Sequence, residues 1–503
     1  MGTSSRAFTK QGAVEVEAIA AALHPKFALT AGPEKNVSHH WLDTFDWRLH
    51  EAGISLEYLD DGPLILQLPD GSRLQGPRAK KWPAVLHDLP AGRLRDALAP
   101  IIALRALLSV VTVQRAVRES RVLNADEKTV ARLLTESADD GTSRLQVQPL
   151  RGYELDGDRI ARLIGRVDGL TSSTTTPYDD ALKFATRSPS DNGQHPTPPL
   201  RPETPASVAV ANMLAPFAAA IDENVAGTIA AIDTEFLHDL RVAVRRTRSI
   251  LKLAGDVLPA NLAERFQPEF KWLGDLTTPV RDLDVYLLEL DNLAARLASA
   301  DRHDLDPFRS FLVRHRSAER RRLVRGLRSA RFKQLMSDWR TELAKVALEG
   351  DDGDGGPAAA AFARQRIRRT FRKVVRRGKS IAADSPSEQV HELRKRCKEL
   401  RYLLEVFRPL CADGPYRPLV KELKALQDTL GDFQDGEVQR EAVREFAAAM
   451  MEQGAAPPAT VLAMGELAAQ LDAHQLNARG ELVGRLKPFL AKENRARVKA
   501  LVR

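Results

Sequence analysis

Cysteine is nearly absent: Cys397 and Cys411 are the only two in 503 residues. That excludes a disulfide scaffold and leaves too few thiolates for a cysteine-based metal site. Aromatic residues make up only 6% of the chain, little material for stacking nucleic-acid bases. Long apolar runs are missing too. The longest candidate, residues 99–113, is cut by Arg105, so no membrane-spanning helix is expected. The opening MGTSSRAFTK has no apolar core of a signal peptide. These absences together predict a soluble protein of a reducing cytoplasm, with no membrane partner.

What is present favours helices and cations. Apolar residues are 43% of the chain, enough for packed cores, and alanine, leucine and arginine, all good helix formers, dominate. The net charge is +8. Residues 1–170 hold 22 basic and 22 acidic residues, so the whole excess lies beyond them. Residues 311–380 alone hold 20 basic and 7 acidic residues. A basic C-terminal region suits an anionic partner: nucleic acid, a phosphate polymer or a membrane surface.

Residues 188–205 contain six prolines and read as a linker. The composition predicts an α+β domain over 1–187 and an all-α region over 206–503, with a second break at 350–357 (GDDGDGGP) dividing it into 206–349 and 358–503. In the first domain, strands are expected at 53–59, 64–68 and 145–150, with Asp70-Gly71 as a turn. Helices are expected near 93–110 and 126–137.

The two helical halves repeat. His238-Asp-Leu-Arg241 matches His391-Glu-Leu-Arg394. Arg245 matches Lys398, Arg248 matches Arg401, and Leu251 matches Leu404. Lys271, Leu273, Asp275, Asp282 and Asp284 match Lys424, Leu426, Asp428, Asp435 and Glu437. Every pair is 153 positions apart. Two similar helical bundles related by a pseudo-two-fold axis are expected.

On a helix advancing about 100° per residue, His238, Arg241, Arg245, Arg248 and Lys252 fall in one stripe roughly 80° wide. Leu240, Ala243, Val244, Thr247, Ile250 and Leu251 occupy a separate apolar face. The second copy repeats this, with His391, Arg394, Lys398 and Arg401 against Leu393, Cys397, Leu400, Leu403 and Leu404. Glu405 stands where the final lysine would be. Like charges at three- and four-residue spacing repel by a few tenths of a kcal/mol per pair, roughly. A bound anion would reverse that sign, whereas a solvated face would merely tolerate it; the sequence leaves both open. Lys271/Asp275 and Lys424/Asp428 have the spacing of helix-surface ion pairs, and a binding role stays open for the lysines. Asp282, Asp284, Asp435 and Glu437 are better read as helix caps or arginine partners than as a divalent-ion site. No metal or cofactor is predicted.

These elements, HDLRVAVRRTRSILK (238–252), WLGDLTTPVRDLDV (272–285), HELRKRCKELRYLLE (391–405) and LKALQDTLGDFQDGE (423–437), resemble the CHAD family, the conserved-histidine α-helical domain. The resemblance implies two pseudo-symmetric four-helix bundles whose basic helices line a cleft. It also implies binding of inorganic polyphosphate and association with polyphosphate granules. By resemblance, His238, Arg241, Arg245, Arg248, His391, Arg394, Lys398 and Arg401 take the binding role; Lys252, at the end of the first stripe, and the repeated Lys271 and Lys424 are added as candidates. The arginines at 320–328 and 364–377 are extensions of it.

The N-terminal part resembles the CYTH (triphosphate tunnel) fold, an antiparallel β-tunnel that often precedes CHAD. Residues 14–17 (VEVE) look like its opening strand, and residues 42–56 like its second block. The chain departs from that family at Ile19, Glu57, Leu59, Gln67, Gln146 and Gln148. There cations or carboxylates give way to apolar, acidic or amide side chains. An amide cannot supply the cationic charge that offsets phosphate, and it is a weak Mg²⁺ ligand. Glu15, Glu17, Arg48, Arg115 and Arg118 remain, an incomplete set. A degenerate, non-enzymatic tunnel is expected, with a structural or protein-contact role.

The first functional expectation is therefore non-enzymatic polyphosphate binding. The alternatives are an inorganic triphosphatase in the CYTH-like part, or nonspecific nucleic-acid binding. The chain has no recognisable helix-turn-helix, which disfavours specific nucleic-acid recognition.

Overall fold

A computed structural model describes residues 6–60, 62–78, 82–138, 141–189, 200–349 and 356–502. Most of the proline-rich stretch, and residues 350–355 of the second break, lie outside the described residues. The chain forms two compact units, Met1–Gln194 and His195–Arg503.

The first unit is one antiparallel sheet with helices packed on it. Its strands are β1 (Ala7–Gln11), β2 (Ala28–Thr30), β3 (Glu34–Thr44), β4 (Ser55–Leu59), β5 (Pro63–Gln67), β6 (Arg73–Arg78), β7 (Leu107–Leu123), β8 (Thr129–Ala138), β9 (Thr142–Pro149) and β10 (Thr171–Ser172). The order is β10-β1-β9-β8-β7-β3-β4-β5-β6, with β2 also on β7. Its helices are α1 (Val16–Leu23), α2 (Arg48–Glu51), α3 (Arg93–Ile102), α4 (Glu154–Ile164) and α5 (Pro177–Phe184). Ile19 and Leu23 of α1 and Ile160 and Ile164 of α4 bury against Phe8, Leu133, Leu145 and Val147 of the sheet.

Three sequence expectations are corrected here. Residues 14–17 are not the opening strand; β1 precedes them, and Val16 starts α1. The burial of Ile19 and Leu23, four residues apart, outweighs the short alternation at Glu15 and Glu17, and both glutamates are exposed. The helix expected over 93–110 ends at Ile102, where Ala103 turns to φ 50. Val111, Thr112 and Val113 of the β-branched run then pair with β3, and Val110 forms a bulge. The helix expected over 126–137 is β8. Asn124 Oδ1 accepts from the amides of Asp126 and Lys128 and closes a hairpin, and pairing with β7 and β9 supplies the strand's partners.

The second unit is helical: α6 (Ala206–Ala230), α7 (Thr234–Ala254), α8 (Ala260–Ala294), α9 (Asp306–Arg328), α10 (Ala330–Glu349), α11 (Ala359–Lys379), α12 (Ser387–Val406), α13 (Asp413–Glu452), α14 (Pro458–Leu490) and α15 (Lys492–Ala500). The starts of α6, α7 and α8 recur at α11, α12 and α13 with the 153-residue offset of the sequence motifs. Each repeat is three helices followed by a fourth segment broken once, at Ser329 and at Ala491.

The repeats meet by a true pseudo-symmetry. The amide of Ala206 donates to Pro357 O, and the amide of Ala359 donates to Thr204 O. Residues 206 and 359, and 204 and 357, are equivalent positions, so each contact is the other's mate, as in an isologous interface. The bridge between Pro205 and Ala358 joins a residue to its own equivalent and marks the axis. Leu240, Val244 and Leu251 of α7 and Leu393, Leu400 and Leu404 of α12 lie in one shared core.

Candidate functional site

Each basic stripe is positioned by the apolar face behind it. In α7, Leu240, Ala243, Val244, Thr247, Ile250 and Leu251 are buried, as their spacing predicts. Leu393, Cys397, Leu400, Leu403 and Leu404 do the same in α12. Asp233 caps α7 by accepting from the amides of Glu235 and Phe236. Burial of one face turns the opposite face of each helix outward.

Between the repeats lies a cleft of about 570 Å³. Arg245, Arg248, Lys252 and Lys271 line it from the first repeat, and Lys395 and Lys398 from the second. The single carboxylate in its wall, Glu399, is already engaged: it accepts from Lys252 at 3.0 Å and from Arg396 at 2.6 Å. Among the described residues, no carboxylate stands within 4 Å of Arg245, Arg248, Lys271 or Lys398. Burial, then the neighbouring Arg394 and Arg245, push Lys398 down from 10.5 to about 8. The site therefore carries unbalanced positive charge and holds one ammonium at the edge of losing its proton.

The sequence-predicted residues do not all meet in this cleft. Arg241 donates to Thr278 and lies 3.9 Å from Asp282; its equivalent Arg394 reaches Asp435 at 3.1 Å. These are matching pairs of the duplication, and they tie each stripe to the next helix. Asp284 is held by Arg316. Three of the acidic set, Asp282, Asp284 and Asp435, thus partner arginines, whereas Glu437 accepts from Gln434; among the described residues no cluster could hold a metal. The expected pairs Lys271–Asp275 and Lys424–Asp428 are not made among the described residues; Lys271 turns to the cleft instead.

The two stripes also differ, and the sequence alone did not predict how far. Gly274 leaves room for Arg248, whose Nη1 would stand 2.6 Å from a Cβ there. The equivalent of Gly274 is Gln427, which accepts from Arg401 at 3.4 Å, while Glu405 accepts from it at 2.7 Å. Arg401 is diverted from its stripe, and Lys424 lies outside the cleft. Across the axis, Lys252 pairs with Glu399 and Arg246 with Glu405. These are again equivalent pairs, with cations on the first repeat and anions on the second.

The histidines have diverged too. Burial, then the Arg281 guanidinium, hold His238 below its ordinary value. His391 has Gln434 in that place, its Nδ1 lying 2.5 Å from Gln434 Oε1. Gln434 Nε2 in turn donates to Glu437 at 3.5 Å, which orients the amide so that Nδ1 is the donor.

Sequence reasoning missed Lys395, Glu399 and Tyr402, which lie beside the stripe. One signal was available: Lys395 replaces Val242 of the first copy. Of the arginine extensions, Arg320 caps Ile229 O, Arg364 caps Val502 O and Arg368 caps Lys499 O.

In the first unit, the arginines kept from the triphosphate-tunnel pattern are neutralised. Arg115 donates to Glu136 at 2.5 Å, Arg118 to Glu34 at 2.9 Å and Arg48 to Asp46 at 3.0 Å. Glu57 lies 2.9 Å from His39 Nε2, and Gln148 donates to Gln146 at 3.2 Å. Helix α5 takes up Arg144 through Asp180. The nearby cleft of about 670 Å³ retains only Lys10 and Lys183 as lining cations outside these pairs.

A duplicated helical fold with a cationic cleft at its pseudo-two-fold axis is the class of architecture present here. Residues 212–444 match the family model of the CHAD domain, so the helical unit carries a CHAD domain. The crystal structure of the CHAD domain from the plant Ricinus communis is similar at 27% identity and a TM-score of 0.50, covering 59% of this chain and 96% of that one. PptA from Streptomyces chartreusis aligns at 17% identity and a TM-score of 0.44, over 56% of this chain and 99% of that one. The uncharacterized protein Rv2226 of Mycobacterium tuberculosis is 28% identical over 219 residues, 42% of this chain. The chain spans about 40% of the length of the curated relatives it matches. The family match lies wholly within the helical unit and does not extend to the sheet unit.

Proposed function

We propose that the chain binds inorganic polyphosphate in the cleft between the two helical repeats, without chemistry. The observation that carries this reading is the lining itself: six cations, of which Lys252 is paired with Glu399 and Lys395 with Glu392, while Arg245, Arg248, Lys271 and Lys398 have no carboxylate within 4 Å among the described residues. A linear polyanion supplies the missing negative charge. Each charge-assisted hydrogen bond it accepts contributes roughly 1.5–3 kcal/mol. The resemblance to CHAD names the polymer, and association with polyphosphate granules is the corresponding location. The internally paired arginines of the first unit support a non-enzymatic, structural or protein-contact role for it.

The test is titration with long-chain polyphosphate at two salt concentrations, without divalent metal and with DNA as competitor. Binding is expected to weaken steeply with salt, through counterion release, and DNA is expected to displace the polymer poorly. Arg245→Ala with Lys398→Ala is expected to lower affinity at least about tenfold, since two charged contacts are removed. Unchanged affinity in that double variant would remove the cleft from consideration. Arg241→Ala with Arg394→Ala is the less clean probe, because both arginines also hold the next helix.

A further inference from the structure

The duplication supplies an internal control for a second site. Helix α6 and helix α10 of the first repeat border a groove, and α11 and α15 border its equivalent in the second. In the first groove α6 presents Ala215, Ala219, Asp222 and Glu223, and the one lining arginine, Arg340, is paired with Asp222. At the positions equivalent to Ala215, Ala219 and Glu223, the second groove has Arg368, Arg372 and Arg376. Lys379 continues the row, and Arg495 and Lys499 face it from α15. No acidic residue lines this groove of about 710 Å³. One fold position has thus become acidic in one repeat and wholly cationic in the other, which packing of the shared scaffold does not require.

The geometry is that of a track. Residues 368, 372, 376 and 379 run along one face of α11 and span about 16 Å at 1.5 Å per residue. Arg372, Arg376, Lys379, Arg495 and Lys499 are exposed, while Arg368 is fixed by donating to Lys499 O at 2.9 Å. Phe371 and Val498 are buried and close the floor, with half-buried Val375 between the rows of cations. Such a track suits a linear polyanion.

The helix that carries the track, α11, is also joined to α12, which lines the central cleft: Arg377 lies 4.0 Å from Glu392, which accepts from the cleft's Lys395 at 2.8 Å. Lys373, on α11, is held below its ordinary value by burial and by Arg369 and Arg396, with Glu399 opposing and Arg376 adding. Glu399 lines the central cleft and Arg376 lines the groove. One lysine therefore lies within electrostatic reach of both.

We propose that the groove between α11 and α15 is a second anchor for the same polyphosphate chain that occupies the central cleft, so that long chains engage two sites at once. This rests on the polyphosphate reading above. Occupancy of both sites by one chain makes the second contact intramolecular, which raises avidity for long polymers and leaves short ones unaffected.

The experiment uses the full chain and two probes, tripolyphosphate and long-chain polyphosphate. Arg372→Ala with Arg376→Ala and Arg495→Ala removes three exposed side chains, and a circular dichroism melt checks that the fold is kept. The expected result is an unchanged tripolyphosphate affinity, a roughly tenfold loss for the long chain, and a shallower salt dependence. Unchanged long-chain affinity overturns the second anchor while leaving the central cleft standing, provided the Arg245→Ala/Lys398→Ala variant still loses binding. A triple variant that loses poly-glutamate binding but not long-chain polyphosphate binding assigns the groove to an acidic protein and also overturns it. Absence of long-chain binding in the parent overturns both readings.

Discussion

Lys398 shows how one residue couples fold to function. Its partial burial and the adjacent Arg394 and Arg245 lower its proton affinity to about 8 in the free protein. A polyanion favours the ammonium form, so affinity is expected to be constant well below pH 8 and to fall as pH rises through it. Binding titrations from pH 6 to 9.5 check this, and a flat profile would contradict it. Stability runs the other way. The unfolded lysine keeps its ordinary value of 10.5, so between about 8 and 10.5 the unfolded state binds more protons. This residue then makes the free native state relatively more stable as pH rises. Lys398→Met is accordingly expected to raise the melting temperature at pH 7 while weakening polyphosphate binding, a trade of stability for function. The two motif histidines likewise play unequal parts, one beside Arg281 and one hydrogen-bonded to Gln434.

Helices α7 and α12 began as equivalents and now serve different ends. In α7, Arg245, Arg248 and Lys252 all face the cleft. In α12, Glu405, together with Gln427 of α13, occupies Arg401, and Glu405 also meets Arg246 across the axis. Two identical basic helices crossing at a two-fold axis would repel; the acidic replacements at 399 and 405 convert that crossing into matched ion pairs. Glu405→Gln is expected to free Arg401 and tighten polyphosphate binding several-fold, measured by the same titration. The half-exposed pairs it breaks limit the cost in stability to about 1 kcal/mol. Weaker binding in this variant would mean that the crossing geometry matters more than the released charge.

For the whole molecule, the two units present contrasting uses of arginine. The helical unit leaves cations unpaired in the cleft and along the α11–α15 groove. The sheet unit spends its buried arginines on internal carboxylates, as Arg115 with Glu136 and Arg144 with Asp180 illustrate. Breaking such a buried pair is costly, because it strands a charge in a poorly solvated place. A triphosphate competing for Arg115 would have to pull it from Glu136. Incubation of the protein with tripolyphosphate and Mg²⁺ or Mn²⁺ is therefore expected to release no phosphate above background. Metal-dependent release abolished by Arg115→Ala would reverse that reading.

The sequence by itself determined the helical repeat, its 153-residue period and the separation of apolar from basic faces. Those features depend on residue spacing along one helix, which is local. It also made legible the strands at 53–59 and 64–68, whose alternation survives folding as β4 and β5. The strand at 129–138 was read as helical because its apolar spacing is ambiguous, and only pairing with β7 and β9 resolved it. Which cations share a cleft was decided by tertiary structure alone. In the central cleft, unpaired charge gathers where helices from both repeats converge and where no carboxylate from a neighbouring helix arrives first. Arg248 and Arg401 carry the same side chain at the same repeat position, and only their surroundings make one available and the other spoken for.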